Sequence, residues 1–246
     1  MWIRGGLVNY DEVAEIVRAP RETLKQSAKS WTYRSGDWVV KESSWRRGAA
    51  LFKLTFQPER RAMAWKAASF FSSNGIPTPE PLAYVEWGVL GIVWKNAFIA
   101  RHLDGFFRSD HYLASMVGRG AEKDELRLYF EKLAEAVAAL APLRIYHSDL
   151  TGKNILTRDG RSFQFIDLEA VSLNVDYNME RRLRNHMQLY DSLLEWAPDE
   201  ALTDLIRPLT PAEYGFDEWM NLVREARRIR RERAEELWRK YGRKDD

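Results

Sequence analysis

The sequence predicts an α+β fold in two lobes: a small, antiparallel β-rich N-terminal lobe with one inserted helix, residues 1–103, and a larger helical C-terminal lobe, residues 104–246. Three observations lead there. Short β-favouring runs separated by turn residues fill most of the first hundred positions. Beyond Gly105 apolar residues recur at helical spacing. A polar loop followed by a short hairpin interrupts that helical stretch.

Taken in order, "ETLKQ" and "SWTYR" read as strands, Ser35 to Asp37 as a turn, and "WVVKE" as the strand that follows. Pro58 suits the first turn of a helix, and Met63, Ala67, Phe70 and Phe71 then share one face until Asn74-Gly75 ends it. "GIPTPEP" is a rigid connector. "LAYVE", "LGIVW", a turn at Lys95-Asn96, and "AFIAR" read as a β-meander running to "HLDG". In the second lobe Leu126, Phe130, Leu133, Val137 and Leu140 form the stripe of a long amphipathic helix. "NILT", the turn "RDG" and "FQFID" make a hairpin directly after the polar loop. From about Met179 the chain is helical. Leu183, Met187, Tyr190 and Leu194 form one apolar face, and a strongly charged last helix follows.

Composition narrows the function classes. With 246 residues and 45% hydrophobic side chains the chain has ample material for a core. Lys+Arg 38 against Asp+Glu 36 leaves a net charge of +2, which argues against a general nucleic-acid binder. No cysteine is present, so disulfides, thiolate metal sites and cysteine nucleophiles are excluded and a reducing, cytoplasmic setting is expected. The longest apolar runs, "AVAALAPL" and "WGVLGIVW", fall well short of the ~20 residues of a membrane span. The expectation is a cytoplasmic protein, soluble or peripheral at the inner face of the cytoplasmic membrane. No internal repeat is apparent.

The polar loop "YHSDLTGKNIL", Tyr146 to Leu156, carries the chemistry. Phosphoryl transfer to a hydroxyl needs a carboxylate to receive the proton, and a nucleoside triphosphate needs a divalent cation held by hard oxygens. Asp149 supplies the first and Asn154 part of the second. Asp167, at the end of the hairpin's second strand, is expected to return toward the loop and complete a Mg²⁺ site. His147 is expected to brace the loop by hydrogen bonding.

"HSDLTGKNIL" followed by "FIDLE" resembles the kinase catalytic loop H-x-D-L-x-x-x-N and its metal-binding strand end. With "WVVKESSWRRG" and "ERRAMAWKAASFFSSNGIPTPEPLAYVE", over about residues 22–195, the chain more closely resembles the lipopolysaccharide core kinases. These are bacterial enzymes that phosphorylate heptose or 3-deoxy-D-manno-octulosonic acid. The resemblance implies a two-lobed protein-kinase-like fold, ATP and Mg²⁺ as cofactors, and a lipopolysaccharide inner-core sugar, with heptose preferred, as acceptor. It implies Asp149 as base, Asn154 and Asp167 as metal ligands, and Lys41, at the end of "WVVK", as the lysine that binds ATP phosphates. Glu59, the only acidic residue between Glu42 and Glu80, is the candidate partner of Lys41; the helix dipole would equally favour a carboxylate there.

Departures from the kinase pattern shape the expected substrate. No G-x-G-x-x-G is present; the corresponding turn is "KQSAKS", where Ser27 and Lys29 are the candidates to meet phosphates. Glu169 stands where protein kinases have glycine, and no A-P-E segment follows. That leaves little room for a peptide platform and favours a sugar or another small acceptor. A protein hydroxyl, an aminoglycoside, and a pseudokinase scaffold are the alternatives. Lys153 reads either as a charge neutraliser at the phosphoryl group or as a solvated loop lysine. His102, His111 and His186 lack metal-ligand spacing. The run from Arg224 to Lys244 reads either as a solvated helix laced with ion pairs or as a contact for anionic lipid, anchored by Leu237 and Trp238.

Overall fold

The computed structural model describes residues 2–6, 9–27, 30–44, 62–90 and 92–242. The chain forms two compact units. One comprises residues up to 105 together with 165–171, and the other comprises 106–164 and the chain from 172 onward.

The first unit is built on a six-stranded sheet of β1 (Trp2–Gly6), β2 (Glu22–Gln26), β3 (Ser30–Ser35), β4 (Trp38–Ser44), β5 (Pro81–Val89) and β6 (Ile92–Arg101). Their order is β1-β5-β6-β4-β3-β2, and every pairing is antiparallel. Alternation along the strands sorts side chains onto two faces. Tyr33, Val40, Ala83, Val85, Ala97 and Ile99 form one buried cluster with Val13 and Ile16 of helix α1 (Tyr10–Arg18). Helix α1 begins where the Asn9 side chain accepts the Glu12 N–H at 2.9 Å. Lys41 alternates with Val40 and Glu42 and so faces the other way.

The meander expected from the sequence is two long strands instead. β6 runs unbroken through Lys95 and Asn96, and the turn falls at Leu90. The physical reason is pairing. Asn96 is opposite Glu86 and donates to the Tyr84 hydroxyl at 3.1 Å, while Lys95 reaches Glu42 at 2.8 Å and lies over the Trp87 ring. A dipeptide with turn chemistry is here a pair of cross-strand polar contacts.

Helix α2 (Met63–Ser73) buries Ala64, Ala67, Ala68 and Phe71, and the Asn74 side chain donates to the Phe70 carbonyl at 2.8 Å at its end. The helix start expected at Pro58 lies outside the described residues. The connector after it binds the strip 165–171: Phe165 donates its N–H to the Pro77 carbonyl at 3.0 Å, and the Thr78 hydroxyl donates to the Phe165 carbonyl at 2.8 Å. Phe71 meets the Phe165 ring edge-on.

The second unit contains the short strands β7 (Phe107–Arg108) and β8 (Tyr146–His147) and the hairpin β9 (Ile155–Thr157) to β10 (Phe163–Phe165), whose last residue passes into the first unit. The strand β11 (Val171–Ser172) marks the return. Its helices are α3 (Ser109–Gly118), α4 (Lys123–Ala138), α5 (Met179–Leu193), α6 (Asp199–Ile206) and α7 (Phe216–Tyr241). Of the stripe expected there, Phe130, Leu133 and Val137 of α4 and Leu140 just beyond its end are buried, while Leu126 is half-buried. On α7 only Trp219, Met220 and Val223 are buried. No helix among the described residues is long and apolar enough to cross a membrane.

Candidate active site

Two clusters bear on the chemistry, one in each unit. In the first, the Lys41 ammonium lies 2.6 Å from Asp167 Oδ1 and 2.7 Å from Glu169 Oε2. Burial alone would lower the Lys41 pKa, but the two carboxylates outweigh it and raise it, so the side chain stays an ammonium. Two features put Asp167 there. The connector holds Phe165 two residues upstream, and Asp167 adopts the left-handed conformation at φ 58°, one of few non-glycine residues to do so. Asp tolerates that region better than most side chains, and such a strained backbone is the kind found at functional positions.

In the second unit the loop after β8 is tied from within and from α5. Asn154 donates its side-chain N–H groups to the Asp149 carbonyl at 2.8 Å and to Asp149 Oδ2 at 2.9 Å. Lys153 Nζ stands 3.2 Å from the same carboxylate oxygen. The Asp149 N–H donates to His147 Nδ1 at 3.2 Å, the bracing expected of a buried histidine there. Asp149 is thus aimed while keeping its second oxygen available as a proton acceptor, and the Asn154 amide oxygen is left as a hard ligand atom.

Helix α5 supplies residues that sequence reasoning missed. Asn185 Nδ2 donates to the His147 carbonyl at 2.6 Å, and Gln188 Nε2 donates to the Ser148 carbonyl at 2.7 Å. The Gly152 N–H donates to Ser192 Oγ at 2.9 Å. The three sit at i, i+3 and i+7 on one helical face. That spacing, polar positions recurring beside an apolar stripe, was the available signal. From α3 the Ser109 hydroxyl donates to the Gly152 carbonyl at 3.0 Å. A Cβ on Gly152 would lie 2.9 Å from both Asp110 Cβ and Leu193 Cδ2, so the loop closes against the helices only with glycine there.

The model of the Lipopolysaccharide kinase (Kdo/WaaP) family matches residues 21–208, most of the chain and all of these groups. The chain belongs to this family. Among solved structures it is similar to WaaP in complex with acyl carrier protein, with 16% identity, a TM-score of 0.66, and 89% of this chain and 92% of that one covered. It is also similar to WbdD, with 17% identity and a TM-score of 0.51; the match covers 83% of this chain and 45% of that one. At these identities the likeness concerns the fold, which is protein-kinase-like. No protein of curated function matches the sequence.

The remaining candidates in this Kdo/WaaP-family chain divide three ways. Lys29 and Glu59 lie outside the described residues. Ser27 is paired with Ser30: its N–H donates to the Ser30 carbonyl at 2.8 Å, and its hydroxyl accepts the Ser30 N–H at 3.1 Å. Glu169, noted in the sequence only as a departure from glycine, is a partner of Lys41. Among the described residues no three His, Asp or Glu side chains form a metal cage. A Mg²⁺ ion carried by nucleotide phosphates requires no such cage.

Proposed function

We propose that this kinase-family protein transfers the γ-phosphate of ATP to a sugar hydroxyl of the lipopolysaccharide inner core, a heptose in preference to 3-deoxy-D-manno-octulosonic acid. What supports the reading most is that the family match encloses Lys41, Asp149, Asn154 and Asp167 together. In this reading Asp149 accepts the proton of the attacking hydroxyl, its orientation set by Asn154 and Lys153. Lys41 anchors phosphate oxygens of ATP, with Asp167 and Glu169 keeping it charged. Asn154 and Asp167 would hold Mg²⁺, which when bound neutralises charge on the β- and γ-phosphate oxygens. Lys153, beside the reacting carboxylate, offsets charge on the group in transfer.

The acceptor is a component of a membrane glycolipid, and the enzyme works at the cytoplasmic side. The ion pairs of α7 bear on which part of it would take part. Arg227, Arg230 and Arg231 all converge on Asp191, and Arg228 pairs with Glu225 and Glu232. Those charges are used within the fold. A contact with anionic lipid therefore falls to the end of the helix, where Leu237, Trp238 and Tyr241 are exposed beside Arg239 and Lys240.

The test is a panel of acceptors incubated with ATP·Mg²⁺ and read by mass: core oligosaccharides with and without heptose, an aminoglycoside, and a generic protein substrate. A phosphoryl group gained by the heptose-containing sugars alone is expected. Gain only on the aminoglycoside or the protein contradicts the reading.

A further inference from the structure

The run "WGVLGIVW" has no part in the chemistry above, yet it forms a feature that costs the fold stability. Val89 is opposite Ile92 at the end of the β5–β6 pair, and Leu90 stands at the turn with φ 47°. Such a position favours glycine or asparagine, and it usually carries a polar group. Here it carries a leucine whose side chain is 95% exposed. Val89 is 57% exposed, Ile92 44% and Trp94 40%. No residue from Trp87 to Trp94 is charged. The nearest cation, Lys95, is engaged by Glu42 and the Trp87 ring.

We propose that this hairpin tip inserts into the outer part of a phospholipid bilayer. Three arguments favour that occupant. The first is depth. Trp87 packs on the core of its unit, and Leu90 lies three residues beyond it along the strand, roughly 10 Å away, which matches the ~5–10 Å that interfacial elements penetrate. The second is chemical layering: aliphatic side chains occupy the tip and an exposed indole stands behind them, the order of acyl chains and headgroup zone. The third is size. Four exposed apolar side chains on a turn are far fewer than the ~20–30 residues a stable protein interface uses on each side. The insertion is apolar, unlike the charged contact assigned to the end of α7, and it is independent of which acceptor the enzyme takes.

Because the chain has no cysteine, Leu90→Cys gives a single site for an environment-sensitive dye. With phosphatidylcholine vesicles, which carry no net charge, the dye should shift to the blue and be quenched by shallow spin-labelled lipid. High salt should leave both effects in place. The same dye at Glu22→Cys, on the exposed edge strand, should stay in water. In flotation of unlabelled protein, Leu90→Glu with Ile92→Glu should lower partition by at least ~10-fold while circular dichroism confirms the fold. A Leu90 dye that ignores vesicles overturns the proposal, as does equal flotation of variant and wild type. A shift that needs no lipid and grows with protein concentration would assign the tip to a second copy instead.

Discussion

Asp149 carries the chemical argument at the scale of single residues. Asn at this position keeps the shape and the contacts to Asn154 but removes the proton acceptor. Asp149→Asn should therefore lower the rate of transfer by at least ~10²-fold with ATP affinity nearly unchanged; single-turnover kinetics beside equilibrium nucleotide titration separate the two. Asp167 and Glu169 both contact Lys41, but only Asp167 is assigned to the metal. Asp167→Ala should abolish Mg²⁺-dependent nucleotide binding, whereas Glu169→Gln should weaken it by less than ~10-fold. Calorimetry with and without Mg²⁺ distinguishes these outcomes, and an unchanged metal requirement in Asp167→Ala would remove it from the site. The contact of Asn154 with Asp149 was legible in the sequence, because the two stand five positions apart in one loop. The pairing of Lys41 with Glu169 was not, since the two are far apart in sequence and a carboxylate two positions after Asp167 has no spacing rule of its own.

At the scale of elements, α5 both cradles the loop after β8 and seats α7. Gln188 satisfies the Ser148 carbonyl and accepts the Leu150 N–H at 3.3 Å. Gln188→Ala leaves two backbone groups without those partners and should cost about 2 kcal/mol in urea unfolding. On the outward side Asp191, 7% exposed, takes three arginines of α7. Asp191→Asn should destabilise by about 1–3 kcal/mol, less than a fully buried pair because the arginines are half-exposed. Charge reversal at Arg230 and Arg231 would set two carboxylates against Asp191, so it reports on helix packing and not on membrane contact. Period alone marked Phe130, Leu133 and Val137 of α4, and the turn "RDG" marked the hairpin β9–β10; on α5 the expected face places Met187 and Tyr190 in the core but leaves Leu183 and Leu194 half-buried, where Leu189 and Leu193 are buried instead. Strand β1, helix α1 and helix α3 were not expected, because they are short or flanked by polar residues and gain their burial from the units they join. The misread turn at Lys95-Asn96 shows the same limit: a cross-strand partner decides it, and a partner is not a local property.

The whole molecule should lose stability in acid through His186. It is buried, and its Nδ1 accepts the Trp219 indole N–H at 3.1 Å, so the neutral ring is the one that fits. Burial, with a smaller contribution from Arg182, pushes its pKa down from 6.5 to about 3. Between those values the unfolded chain binds a proton that the folded one does not. The contribution is complete above about pH 6.5 and is lost as pH falls toward 3, at about 1.4 kcal/mol per unit. From pH 7 to pH 5 the wild type should lose about 2 kcal/mol more than His186→Gln, which retains an acceptor for Trp219. Equal losses in urea titrations at the two pH values would contradict this.

The central claim is that Asp149 drives phosphoryl transfer from ATP to a core sugar. Its most direct measurement is one reaction run in parallel with wild type and Asp149→Asn, on a heptose-containing core oligosaccharide with ATP·Mg²⁺, followed by mass over time. The wild type should add one phosphoryl group to the sugar with one ADP formed per sugar modified, and the variant should do so at least ~10²-fold more slowly. Equal rates in the two proteins, or ADP formed with no change in the mass of the sugar, would contradict it.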